Sequence, residues 1–226
     1  MFAKQFSLAV AALLLSAGAS AQVGVTADLG TTGVGAHVVI PMETYLNGRF
    51  GVNYIKHDFD KTTDKVHYDV AGKLLTVDFL FDWYLRQGSD FRLTGGVVYN
   101  GNRLSADGRP NASGQFTLNG HTYTTKDVGA LIGTVDYRKA APYFGIGWGN
   151  ALAKASNGRG WNVNADLGVY YMGNPNVKLA NLGCGATTAI CTTIAKDVAA
   201  ERVKLQDDAD KLKVWPVLRV GIGYAF

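Results

Sequence analysis

After residue 21 the chain lacks any uninterrupted apolar run near 18 residues, which is the length that a membrane-spanning helix needs. Its 226 residues include only 5 prolines and 2 cysteines, and the formal net charge of +4 is small and dispersed. The shortage of long apolar runs argues against a helical anchor, and the low charge argues against nucleic-acid binding. The chain also lacks a zinc-binding motif and a phosphate-binding loop, so the sequence predicts neither a metal nor a cofactor.

The first 21 residues have the composition of a secretory signal peptide. Lys4 supplies a cation, residues 6–15 form a short apolar run, and Ala19-Ser20-Ala21 matches a cleavage site of the A-x-A kind. The sequence therefore predicts a cleaved leader at 1–21 and one mature, exported domain at 22–226. Such a protein is periplasmic, secreted or embedded in the outer membrane.

The last twelve residues, W-P-V-L-R-V-G-I-G-Y-A-F, alternate between an apolar face and a face that is mostly small. A strand of a soluble sandwich alternates similarly, but it rarely ends the polypeptide on an aromatic residue. Strands of about 9 to 11 residues with aromatic side chains at the water boundary are what a membrane barrel requires. Terminal Phe226 also resembles the signal by which Gram-negative barrels are recognised for assembly, so the barrel-assembly machinery is an expected partner.

The same alternation recurs along the chain and predicts an all-β fold, a transmembrane antiparallel up-and-down barrel with long extracellular loops. Short connections alternate with long ones, as they do in barrels whose termini both face the periplasm. The eight predicted strands are 23–29, 34–40, 47–57, 67–85, 91–99, 133–149, 161–172 and 215–226. One alternative stays open, because 22–40 is also compatible with a single strand bent at its glycines.

The long connections carry features of their own. Asn119-Gly120, set between alternating residues, predicts a type I′ hairpin. Residues 199–212 have helix-forming composition with charges on most faces, which predicts a short solvated helix or turn and not a membrane helix. Cys184 and Cys191 lie close together in an exported chain, so we expect a disulfide that closes a local loop.

The polar and aromatic residues on the inward faces of the strands form the candidate site. Two aspartates at alternate positions of one apolar strand cannot face lipid and must point inward. The predicted interior residues are Asp78, Asp82, Arg92, Tyr143, Asn162, Asn164, Asp166, Tyr170 and Arg219. An eight-stranded barrel is just wide enough for side chains to fill it, which favours mutual charge pairing and a closed interior. In the alternative, the same lining guides a small zwitterionic or cationic solute through a narrow path.

The sequence gives little support for catalysis. The four histidines are scattered, and no serine or aspartate stands beside them in a pattern that specifies a triad. His57 with Asp58 or Asp60 is the best candidate acid and base, but a solvated loop explains these residues better. The sequence therefore predicts that the protein is not an enzyme.

Several segments resemble the carbapenem-susceptibility porins, the CarO-like outer-membrane proteins. The matching segments, in order, are G-T-T-G at 30–33 with Gly35, A-P-Y-F-G-I-G at 141–147, G-V-Y-Y-M-G-N-P-N-V-K-L at 168–179 and W-P-V at 215–217. The resemblance implies an eight-stranded monomeric barrel in the bacterial outer membrane, in contact with its lipid and associated with uptake of small or basic amino acids.

Two functions follow as expectations. The first is a narrow channel for small solutes such as amino acids. The second is a non-conducting structural or surface-interaction barrel that acts through its extracellular loops.

Overall fold

The computed structural model describes residues 22–62, 67–111, 113–152 and 159–226, with side chains except at 57–62, 67–71 and 106. The predicted leader at 1–21 lies outside the described residues. Within these described residues, eight strands form a closed antiparallel barrel, and five more strands and two helices lie at one end of it. The all-β transmembrane barrel predicted from the alternation is confirmed.

The barrel strands follow the predicted segments closely. Their bounds are β1 (Gly24–Gly30), β2 (Gly33–Glu43), β3 (Leu46–Thr62), β4 (His67–Tyr84), β5 (Phe91–Asn100), β10 (Ala140–Trp148), β11 (Gly160–Tyr171) and β13 (Val214–Ala225). β1 and β2 pair from Gly24↔Val39 to Gly30↔Gly33, so the N-terminal segment is two strands and not one bent strand.

Two pairings close the barrel. β1 pairs with β13, from Gly24↔Ala225 to Gly30↔Arg219, and β4 pairs with β5, from Thr76↔Asn100 to Tyr84↔Arg92. The ring therefore runs β1-β2-β3-β4-β5-β10-β11-β13 and returns to β1. Both ends of the described chain and the connections after β2, β4 and β10 lie at one end, which is the periplasmic end. The long connections lie at the extracellular end.

The outer face of the barrel is apolar and exposed, as a surface in contact with lipid must be. Alternate residues of each strand point outward, and the largest of them are between about two fifths and three quarters exposed. They include Phe79, Phe81, Trp83, Val97, Tyr99, Phe144, Trp148, Trp161, Val163, Leu218, Val220 and Ile222. Tryptophans 83, 148 and 161 lie near the periplasmic strand ends, where aromatic side chains meet the water boundary. A soluble sandwich would bury such a face.

The extracellular end is an ordered extension. The extracellular halves of β3 and β4 continue beyond the barrel and form a sheet with β6 (Arg103–Arg109), β9 (Ala130–Asp136) and β12 (Asn176–Leu182). A hairpin of β7 (Gln115–Leu118) and β8 (His121–Thr124), followed by α1 (Thr125–Val128), and α2 (Thr188–Ala209) complete it. Their apolar side chains form a second core of Phe116, Leu118, Val128, Leu131, Leu179, Ile194 and Val198.

Three predictions for the loops meet different outcomes. The hairpin at Asn119-Gly120 is confirmed, and both turn residues have the positive φ that a type I′ turn requires. The predicted sixth strand, 133–149, is divided between β9 and β10, because the chain bends between them at residues 137–139. The predicted helix at 199–212 was too short: α2 starts at Thr188, and its Ile194 and Val198 are buried in the extracellular core.

In the described residues, no helix is both long enough and apolar enough to cross a membrane.

Candidate functional site in the barrel interior

The barrel interior holds two charged clusters. The first, here called the arginine cluster, consists of Arg49, Asp82, Arg92 and Asp166. Arg49 donates to both oxygens of Asp166, at 2.6 and 3.0 Å, and to Asp82 at 3.1 Å. Arg92 donates to Asp166 at 2.7 Å and to the carbonyl oxygen of Gly149. Each carboxylate therefore contacts two guanidinium groups, and all four side chains are at most 3% exposed.

The second, here called the histidine cluster, consists of Asp28, His37, Asn53, Asp78 and Arg219. His37 lies between two carboxylates, with Nδ1 2.7 Å from Asp28 and Nε2 3.0 Å from Asp78. Asp78 also pairs with Arg219 at 2.7 Å and accepts from Asn53 at 2.9 Å. Imidazole can donate at both nitrogens only as the cation. The geometry therefore fits an imidazolium, and the two clusters then hold four negative and four positive charges.

Small residues on the inward faces provide the space for these groups. A methyl group added to Gly51 would collide with the His37 ring, and one added to Gly221 would collide with Asp28. At Gly147 it would lie 2.7 Å from the Arg92 guanidinium and 2.8 Å from Asp166. The glycines of the barrel strands thus let charged side chains pack tightly against the neighbouring strand.

Apolar side chains close the interior on both sides of the charged clusters. Towards the extracellular end they are Leu80, Val98, Tyr137, Ala141, Tyr143, Tyr170, Met172 and Val217, with Trp215 packed against them. At the periplasmic end, Ala151 and Leu152 fold inward and pack on Val39. Two hydrogen bonds hold this inward turn, from Asn162 to the Ala151 carbonyl and from the Leu152 amide to Asn150.

Among the described residues, the space beside the arginine cluster is small. A cavity of about 10 Å³ lies beside Arg49, Asp82, Arg92 and Asn164. This volume is at the lower limit for one water molecule. A hydrated solute therefore has no room there in this conformation.

The predicted interior residues face inward in the structure. Asp78, Asp82, Arg92 and Asp166 belong to the arginine and histidine clusters, as does Arg219, and all are at most 2% exposed. Tyr143 and Tyr170 belong to the apolar layer towards the extracellular end. Asn164 is buried and Asn162 is half-buried, near the periplasmic end.

Sequence reasoning missed three charged members of the interior: Asp28, His37 and Arg49. Each lies on the inward parity of a predicted strand, since it alternates with outward apolar neighbours such as Leu29, Val38 and Phe50. Alternation within each strand was therefore the signal that could have found them. Their partners could not be found in this way, because pairing depends on the register between strands.

Two further candidates lie outside the barrel interior. Cys184 and Cys191 form a disulfide, with Cα atoms 6.0 Å apart, that ties the segment before α2 to its first turns. The candidate acid and base at His57, Asp58 and Asp60 lie on the extracellular half of β3, and their side chains are outside those described.

A polar clamp joins α2 to the small hairpin above the barrel. The buried carboxylate of Asp197 accepts hydrogen bonds from Asn119 at 3.2 Å and Tyr123 at 2.5 Å, and it lies 2.9 Å from His121. The hydrogen bond from Tyr123 lowers the pKa of Asp197 and raises the pKa of Tyr123 to about 12. The clamp therefore favours ionised Asp197 and neutral Tyr123 across the physiological range.

A closed barrel with an apolar outer face and buried charges inside is a transmembrane β-barrel, and this architecture places the chain in a bacterial outer membrane. Among solved structures, it is similar to CarO2 of Acinetobacter baumannii, with a TM-score of 0.57 and 23% identity over 91% of this chain and 98% of that one. It is also similar to CarO of the same organism, with a TM-score of 0.55 and 24% identity over 90% and 97%.

These similarities confirm the CarO-like fold expected from the sequence segments. No protein-family model matches the chain, and no curated protein matches it.

Proposed function

We propose that the barrel does not conduct solutes and instead anchors an extracellular domain in the outer membrane. The observation that supports this most strongly is the filled interior. Apolar side chains close the extracellular half, Ala151 and Leu152 close the periplasmic end, and between them each aspartate of the arginine cluster contacts two guanidinium groups. Passage of a solute would require several of these contacts to break together.

The extracellular end supports the same proposal. The extension above the barrel has its own apolar core, the disulfide between Cys184 and Cys191, and the clamp at Asp197. Loops that only connect strands have no need for such a core. An ordered, exposed domain on a membrane anchor is suited to contact with molecules outside the cell.

The narrow channel for small solutes such as amino acids is the second candidate function. The observation that favours it is the presence of buried polar atoms with no hydrogen-bond partner among the described residues, including the Tyr143 hydroxyl and both amide atoms of Asn164. Such atoms would gain partners if water or a polar solute entered. In this alternative, Tyr143 and Leu152 must move away from the barrel axis for the path to open.

Refolded protein in liposomes and planar bilayers distinguishes the two candidates. We expect no conductance steps, and swelling in glycine, lysine or arginine no faster than in protein-free liposomes, because the described side chains close the interior at both ends. An open porin reconstituted in the same way serves as the positive control. Discrete conductance steps, or flux of any of these amino acids above the protein-free rate, would overturn the non-conducting proposal.

We also propose that the barrel-assembly machinery recognises the C-terminal strand through Phe226. Its ring is 53% exposed on the outer face and packs edge-on against Tyr224 with centroids 5.0 Å apart, while its amide donates to Val23. Few interior contacts would be lost if this ring were removed.

Phe226→Ala is therefore expected to lower the amount of protein in outer-membrane fractions several-fold, yet leave refolding in detergent unchanged. The measurement compares membrane fractions by immunoblot and refolding by heat-dependent gel mobility. Leu218→Ala, on the same outward face, is the matched control. Equal amounts of the Phe226 variant and the unmodified protein in the outer membrane would contradict the proposal.

A further inference from the structure

Three cations lie side by side on the outer surface at the extracellular end of the barrel. Lys56 of β3 pairs in register with Lys73 of β4, and Lys73 pairs in register with Arg103 of β6. All three are exposed on the same face as the outward apolar residues of their strands. Neighbouring strands are about 4.7–4.9 Å apart, so this cation row places three positive charges in a short line across the sheet.

Like charges directly opposite one another on adjacent strands are destabilising, so an anion bound beside Lys73 and Arg103 would stabilise the row. Among the side chains that the structure describes, Asp136 lies at the Arg103 end of the row. Asp136 accepts from Arg103 Nε at 3.0 Å, and Lys178 of β12 reaches its other oxygen at 3.7 Å. Asp136 is therefore shared by two cations, and among the described side chains Lys73 forms no ion pair or hydrogen bond.

The position of the cation row along the barrel axis indicates which anion is available to it. One step closer to the periplasm on the same outward faces are Tyr54 and Leu75, and a step further are Val77 and Tyr99. These residues belong to the lipid-facing surface, and the two tyrosines have the interfacial position typical of aromatic side chains in membrane barrels. The cation row thus lies at the level of the lipid headgroups of the outer leaflet.

We propose that Lys73 and Arg103, together with Lys56 and Lys178, bind the phosphate groups of the phosphorylated glycolipid that forms the outer leaflet. An arginine guanidinium can hold two oxygens of one phosphate, and a lysine supplies a mobile point charge beside it. The site faces outward along the sheet instead of into a pocket, so it fits a phosphate carried on a lipid in the membrane plane. It serves to fix the lipid around this side of the barrel.

The test uses the full refolded protein in detergent micelles and measures binding of purified lipopolysaccharide by thermophoresis. The variant replaces both Lys73 and Arg103 by glutamine. Each cation near an anionic membrane surface contributes about fivefold to binding, so the double variant is expected to bind roughly thirtyfold more weakly. Lipopolysaccharide that has been treated with phosphatase is expected to bind the unmodified protein as weakly as untreated lipopolysaccharide binds the double variant.

The matched control replaces Lys196 and Arg202 by glutamine, because both are exposed on α2, outside the barrel strands, and the total charge changes equally. It is expected to bind as the unmodified protein does, and heat-dependent gel mobility checks that both variants are folded. Equal binding by the Lys73 and Arg103 variant, or by phosphatase-treated lipid, would refute the site. Displacement of the lipid by millimolar inorganic phosphate would instead assign it to free phosphate and overturn the lipid proposal.

Discussion

Replacing Arg49 by methionine is expected to lower the free energy of unfolding by about 3–5 kcal/mol, because it removes one partner of a buried ionic group. The Arg49 side chain is 3% exposed and contacts both Asp82 and Asp166. Without it, two carboxylates share Arg92 alone, whose guanidinium must also serve the Gly149 carbonyl. Methionine fills part of the volume, so lost charge compensation dominates the effect.

The measurement is urea unfolding of the refolded protein in lipid vesicles, followed by tryptophan fluorescence. Arg103→Met is the matched control, since Arg103 is 62% exposed and its pair with Asp136 lies on the surface. Without lipopolysaccharide in the vesicles, that change is expected to alter stability by about 1 kcal/mol or less. Similar effects of the two substitutions would show that the arginine cluster does not hold the barrel closed.

The barrel itself could be predicted because alternation is a local property of each strand. The segment from Leu75 to Tyr84, for example, must place its two aspartates on the face opposite Phe79, Phe81 and Trp83, whatever the partner strands are. The orientation of the strands could be predicted from the lengths of the connections, because short turns after β2, β4 and β10 fix the direction of every strand. Alternation and connection length can both be read from the sequence without knowing which distant segments are in contact.

The ion pairs of the interior and the fold of the extracellular extension depend on contacts between segments that are far apart in the chain. Asp166 lies directly across from Arg219 in the pairing of β11 with β13, yet Arg219 binds Asp78, and Arg49 and Arg92 bind Asp166. The barrel bore decides these partners, since side chains reach across it as well as along the wall. The sheet of β6, β9 and β12 likewise joins segments far apart in the chain. Ile194 of α2 is buried in the extracellular core, which the charged composition of this segment does not indicate.

The charge balance of the histidine cluster leads to the second large effect. His37→Leu is expected to destabilise the protein by about 3–5 kcal/mol, because Asp28 then lies buried without a cation. Thr26 donates to the Asp28 carboxylate at 3.0 Å, but a hydroxyl supplies no charge. Asp78 keeps Arg219 and Asn53 and is affected less.

Replacing both Asp28 and His37 by leucine separates charge balance from the loss of particular contacts. The double variant removes one negative and one positive charge together, and exchange of a buried ion pair for apolar groups is often close to neutral. Urea unfolding should therefore show that the double variant recovers most of the free energy of unfolding that is lost in His37→Leu. The single variant Asp28→Leu should remain less stable than the unmodified protein. If the two losses simply add, then each side chain acts through its own packing, and the interior would not depend on four charges of each sign. Recovery would instead mean that the barrel is held closed by matched charges, and that a path along its axis would have to break those pairs.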